Sequence, residues 1–138
     1  MWRDIAAWFV MLVVAVANGA VRDLTYGRRM GELAAQQLST LIGCALLGIV
    51  MWIFVRLYPL SSAGRAWRLG LLWMSLTVAF EFLFFHYVGG RSWAELLANY
   101  NVLAGRVWVF VLVWVAVAPY VFFALQRRPC PPSPRHGP

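Results

Sequence analysis

Apolar residues along this chain collect into four long runs, 5–21, 38–58, 69–88 and 107–125, parted by short polar connections. Each run is close to the ~20 residues a helix needs to cross a hydrocarbon core of ~30 Å. The pattern therefore predicts an all-α bundle of four transmembrane helices. Spans and short loops consume nearly every residue of 1–126, which leaves no room for a separate soluble domain. Residues 127–138 hold five of the seven prolines and are too poor in apolar side chains to fold, so they read as a disordered tail.

Local signals refine two of these elements. After Gly89-Gly90, the stretch Ser92-Trp93-Ala94-Glu95 has the form of a capping box. Trp93, Leu96, Leu97 and Tyr100 follow at helical spacing, which predicts a short helix lying flat in the outer interface. The second helix is expected to begin before its apolar run, near Gly31. Glu32, Gln36, Thr40, Cys44 and Gly48 are then four apart on one stripe, polar at its outer end and small at its inner end. With Ser39 and Gly43 beside it, the stripe makes a small-residue seam that serves either packing within the chain or contact between copies. Pro119, inside the fourth run, predicts a kink and a freed carbonyl. The first run has signal-peptide traits in Arg3 and the small residues of 17–20. Asp4 in its basic segment, its length, and the polar Asn18 and Arg22 favour a retained span.

Composition agrees with the pattern: 62% of the 138 residues are hydrophobic and 12% charged, with mean hydropathy +0.70. A soluble domain has roughly 45–50% apolar and about 25% charged residues. The net charge of +7 rests on twelve arginines and no lysine. Nucleic acid could attract such a charge, but the arginines stand at the span ends in short loops, where membrane topology accounts for them. Seven lie on the side of the termini, and five on the other, where Asp23, Glu32 and Glu95 nearly offset them. This bias places both termini in the cytoplasm, and arginine-only usage fits a GC-rich bacterial genome and hence an inner membrane. Trp2, Tyr58 and Trp67 fall at the cytoplasmic level; Tyr26, Tyr87, Trp93, Tyr100 and Trp108 fall at the outer one. The expected partner is the lipid bilayer, not nucleic acid. Cys44 and Cys130 form no C-x-x-C pair, so neither a disulfide nor a metal site is supported, and no cofactor motif is present.

Glu81 is the charge that such a span has to explain. It lies eight residues before Gly89, roughly 12 Å of helical rise from the outer end. At that depth it must face protein or water and have a partner. Asn18 and Arg22 share a face of the first helix, Thr77 and Glu81 share one of the third, and Arg106 opens the fourth. Polar side chains thus crowd the outer half, with almost none in the inner half. Asn18, Arg22, Gln36, Thr40, Glu81 and Arg106 are expected to line one outward-facing pocket, with Glu81 paired to Arg22 or Arg106. A Glu–Arg pair of this kind also has a purely structural use in fixing helix register. His86 stands about 140° around the helix from Glu81, so the two cannot ligate one metal. It is a binding candidate at the outer boundary, or simply a hydrogen-bonded interface residue. No H-E-x-x-H, G-x-S-x-G, P-loop or dinucleotide fingerprint appears.

The strings Asn18-Gly19-Ala20-Val21-Arg22, Phe80-Glu81-Phe82-Leu83-Phe84-Phe85-His86-Tyr87, and Asn99-Tyr100-Asn101 through Arg106 resemble ones in small four-span bacterial membrane proteins with no assigned activity. The resemblance spans almost the whole chain and implies a single bacterial four-span unit. It assigns no residue a role. The leading expectation is a component that binds or transports a small solute or anionic headgroup through the pocket centred on Glu81. Any through-path would need a homo-oligomer, because four short spans enclose little volume. The alternative is a non-catalytic accessory or structural subunit of a larger membrane complex. A membrane-embedded enzyme acting on lipid headgroups comes third.

Overall fold

Each apolar run lies in a helix, and a side-chain cap is found at one of the four, the third. The structure, a computed structural model, describes residues 1–98, 100, 101, 103 and 107–127. Its helices are α1 (Trp2–Leu24), α2 (Glu32–Leu57), α3 (Ala63–Tyr87), α4 (Trp93–Ala98) and α5 (Trp108–Gln126), with a 3₁₀ turn at Tyr26–Arg28 after α1. Arg106, Cys130 and nearly all of the expected tail lie outside the described residues. α2 opens on Glu32 just after Gly31, well before its apolar run, and carries Arg56 in its last turn. Both charges complement the helix dipole. α3 is capped by Ser62, whose Oγ accepts from the Arg65 backbone N–H at 3.1 Å. Gly90, at φ +65°, then supplies the left-handed residue that turns the chain towards α4.

α1, α2, α3 and α5 are all long and apolar enough to cross a membrane. The chain is a small polytopic membrane protein built as an all-α four-helix bundle. The helices form a ring in which α3 packs most closely on α5, α2 lies against both α1 and α5, and the α1–α3 seam is thinner. The start of α1 meets the start of α3 through Asp4 and Arg65, and Trp67 of α3 stacks on Tyr120 of α5. One end of the bundle, the terminal end, therefore gathers the start of α1, the α2–α3 connection and the end of α5.

The core runs through Trp8 and Met11 of α1, Met51 and Val55 of α2, Leu69 and Trp73 of α3, and Val115 of α5. α3 and α5 approach most tightly at Gly70, where any side chain would run into the Ala116 carbonyl. α5 continues as one helix through the buried Pro119, whose missing N–H withdraws a donor from the turn before it. The small-residue seam of α2 is filled from within the chain. Gly43 lies under the Asn18 amide, and Gly48 under the Trp114 indole, whose Nε1 donates to the Cys44 carbonyl at 3.0 Å.

Candidate functional site

Glu81 sits on the inward face of α3, 9% exposed. The helical register that brings Leu69 and Trp73 into the core turns Glu81 inward too, since Trp73 follows Leu69 by four residues and Glu81 follows Trp73 by eight. Its Oε2 accepts two hydrogen bonds, from Tyr100 Oη at 2.8 Å and from Trp108 Nε1 at 2.7 Å. Among the described residues, no arginine pairs with it. Arg22 pairs with the adjacent Asp23, Nε to Oδ1 at 2.8 Å, and Arg106, the other expected partner, is outside the described residues. Among the described residues, two neutral donors serve the carboxylate. This geometry suits its depth, because a neutral N–H or O–H costs far less to bury than a second charge.

Both donors are residues that the sequence pattern assigns to the aromatic belt of the outer boundary. A ring with a polar tip satisfies two environments: the aromatic body fills apolar space while the tip finds an acceptor. Trp108, the first residue of α5, points its indole inward to Glu81. Tyr100 arrives from the connection after α4 and stacks on Phe82, ring centroids 5.6 Å apart. Burial, followed by the hydrogen bond to Glu81, raises the Tyr100 phenol above its ordinary range, so the hydroxyl keeps the proton it donates.

α4 reaches its position through the capping box the sequence announced. Ser92 N donates to Glu95 Oε2 at 2.9 Å, and Glu95 N donates to Ser92 Oγ at 3.2 Å. Leu96 is buried, whereas Trp93 and Leu97 are exposed, so only part of the expected apolar face is covered by protein. His86 fastens the same turn: its Nδ1 is 2.8 Å from the Arg91 carbonyl and its ring stacks on Trp93 at 3.9 Å. His86 is therefore a clip between α3 and α4, away from the other candidates.

Asn18, Arg22, Gln36 and Thr40 do come together. They line a cavity of about 70 Å³ between α1, α2 and the start of α5, with Trp108 in its wall. Asn18 Nδ2 donates to the Ser39 carbonyl at 2.8 Å, and Thr40 Oγ1 donates to the Gln36 carbonyl at 2.9 Å. Glu81 does not line this cavity; the Trp108 indole stands between them. The single pocket centred on Glu81 is thus two adjoining features, an acceptor behind Trp108 and a polar recess in front of it.

A second buried carboxylate was missed. Asp4 is 3% exposed and binds Arg65 Nη2 through Oδ2 at 2.6 Å, while its backbone carbonyl accepts from Trp73 Nε1 at 2.7 Å. Trp8 Nε1 adds a bond to Thr77 Oγ1 at 3.1 Å. The terminal half of the bundle is therefore not bare of polar contacts. The signal available was Asp4 itself, an acid where a basic segment was expected. Among the described residues, no group of three or more His, Cys, Asp or Glu could hold a metal ion.

Comparison with protein-family models, curated proteins and solved structures gives no match for this chain. Its function must be read from the geometry.

Proposed function

We propose that the protein binds a small polar solute or anionic headgroup in the recess between α1, α2 and α5. Arg22 supplies the charge, and Asn18, Gln36 and Thr40 the orienting groups. The supporting observation is that these four residues line one cavity between α1, α2 and α5. The small volume suits a single polar group, such as a carboxylate or phosphate, with the rest of a larger ligand left outside. Glu81 is a positioning residue in this reading: it holds Trp108, and Trp108 forms the wall. On the arginine count, the recess faces outward from a bacterial inner membrane and both termini are cytoplasmic. Passage across the membrane would call on a second copy of the chain.

Gly19 provides the test, because it lines the recess and has open space where a side chain would start. Thermal unfolding of the detergent-solubilised chain would be followed with acetate, inorganic phosphate or glycerol phosphate added. An anion is expected to raise the transition of the parent. Gly19→Leu should abolish the shift, and Arg22→Gln should shrink it, with folding intact. If no anion stabilises the parent, or Arg22→Gln responds as the parent does, the binding reading fails.

The accessory-subunit reading has its own support. Only 17% of the apolar window of α1, and the same share of α3, is buried within the chain, against 44% for α2. Those faces are open to lipid or to a partner's helices. Stability that depends on co-expression with a larger complex would favour it.

A further inference from the structure

We propose that the large recess at the terminal end binds a phosphate-bearing, net-negative headgroup. It is independent of the site above and lies at the other end of the bundle. The recess measures about 480 Å³ and is lined by Arg3, Asp4, Phe54, Tyr58, Leu60 and Arg65, among others. Its charge is unbalanced. Arg3 and Arg65 bring two positive side chains against the one negative Asp4, whose Oδ2 also lies 3.4 Å from the Met1 ammonium. The negative charge is also hidden, because the Asp4 side chain is 4% exposed while that of Arg65 is 37% exposed.

Both guanidinium groups are poised for an anion. Arg65 spends Nη2 on Asp4 and is held rigidly by that bond, with its remaining N–H groups uncommitted among the described residues. Arg3 lies over the Tyr58 ring, 4.7 Å from its centroid, and has no carboxylate partner among the described residues. A planar fork fixed in this way matches the paired oxygens of a phosphate better than a mobile ammonium would. Ser61 adds a hydroxyl at the rim.

Position selects the ligand. The recess opens where α1, α2 and α3 give way to the 58–62 connection, the level at which lipid headgroups lie. Trp2, 81% exposed on its edge, is the amphipathic anchor expected there. Phe54 and Leu60 give the recess apolar walls against which a glycerol backbone can rest. The shared chemistry is a phosphate group, from a lipid or free in solution.

Native mass spectrometry of the full chain would count bound phosphatidylglycerol against phosphatidylcholine, with Arg3→Gln and Arg127→Gln as variants. Arg127 stacks over Phe123 at the end of α5 and does not line the recess, so it controls for general charge. Phosphatidylglycerol should be retained preferentially, and Arg3→Gln should weaken retention about tenfold, the loss of one charge-assisted contact. Arg127→Gln should leave it unchanged. Retention that inorganic phosphate does not displace assigns the phosphate to lipid; binding of inorganic phosphate alone, lost in Arg3→Gln, assigns it to solution. Arg3→Gln leaves the Asp4–Arg65 pair intact, so it separates binding from folding. Equal retention in Arg3→Gln and the parent, or an equal loss in Arg127→Gln, overturns the site.

Discussion

The two ends of the bundle each bury a carboxylate and treat it differently. At the terminal end Asp4 receives a guanidinium, and at the opposite end Glu81 receives an indole N–H and a phenol O–H. The difference follows depth. Asp4 is in the first turn of α1 and Arg65 in the first turn of α3, so the arginine can keep part of its charge in contact with the boundary. Glu81 lies about four turns further along α3 than Arg65, deeper within the ring, where a second charge would lose far more solvation. Aromatic donors serve there because most of their surface is apolar. Among the described residues, one end is therefore held by charge and the other by neutral donors, and the second arrangement also ties down the connection that carries Tyr100.

This contrast can be broken most sharply at Arg65. Arg65→Met leaves the buried Asp4 with only the exposed Met1 ammonium at 3.4 Å, and should cost about 3 kcal/mol, the lower end for a broken buried pair, because Arg65 is partly solvated. Asp4→Asn should cost distinctly less, since the stranded arginine can turn to water. Unfolding in detergent by denaturant, compared between the two variants, checks that asymmetry. Equal losses would mean that Arg65 is as buried in solution as Asp4.

Glu81 offers a chemical series of intermediate size. Glu81→Leu strands Tyr100 and Trp108 together and should lose about 2–4 kcal/mol at ~1–2 kcal/mol for each unsatisfied donor. Glu81→Gln keeps an acceptor oxygen and should lose only about 1 kcal/mol. A double-mutant cycle with Tyr100→Phe should show coupling, while one with Arg22→Gln should show none. Strong coupling to Arg22 would restore the ion pair that the sequence suggested.

The smallest effect lies at alkaline pH. The Tyr100 phenol is raised in the folded chain, so its contribution to stability is complete below the ordinary phenol value of about 10. It is lost as pH climbs from there towards the folded value, because the unfolded chain releases its proton first. Tyr100→Phe should remove that decline. Melting curves at a series of pH values above 9, about the point where phenols begin to titrate, would show the parent and the variant converging.

Much of the fold was legible because four apolar runs of spanning length admit few arrangements. Run length, Gly31 before Glu32, and the Ser92–Glu95 box fixed where helices form, since these are local choices made within a few residues. The gathering of Asn18, Arg22, Gln36 and Thr40 was also foreseeable from spacing, because a helix places every fourth residue on one face. Opposite charge was a poorer guide. It offered Arg22 to Glu81, whereas Arg22 binds Asp23, and it passed over the pairing of Asp4 with Arg65.

By itself, the sequence determined that this chain crosses a membrane four times, which helix faces are polar, and that Glu81 must be satisfied. Hydropathy and periodicity act along the chain and need no knowledge of neighbours. Only the tertiary structure decided which donors meet which acceptors, that the ring runs α1, α2, α5, α3, and that Trp108 separates Glu81 from the recess. Those outcomes depend on helix rotation and on the close approach at Gly70, where ångström-scale packing selects one partner among several of suitable chemistry.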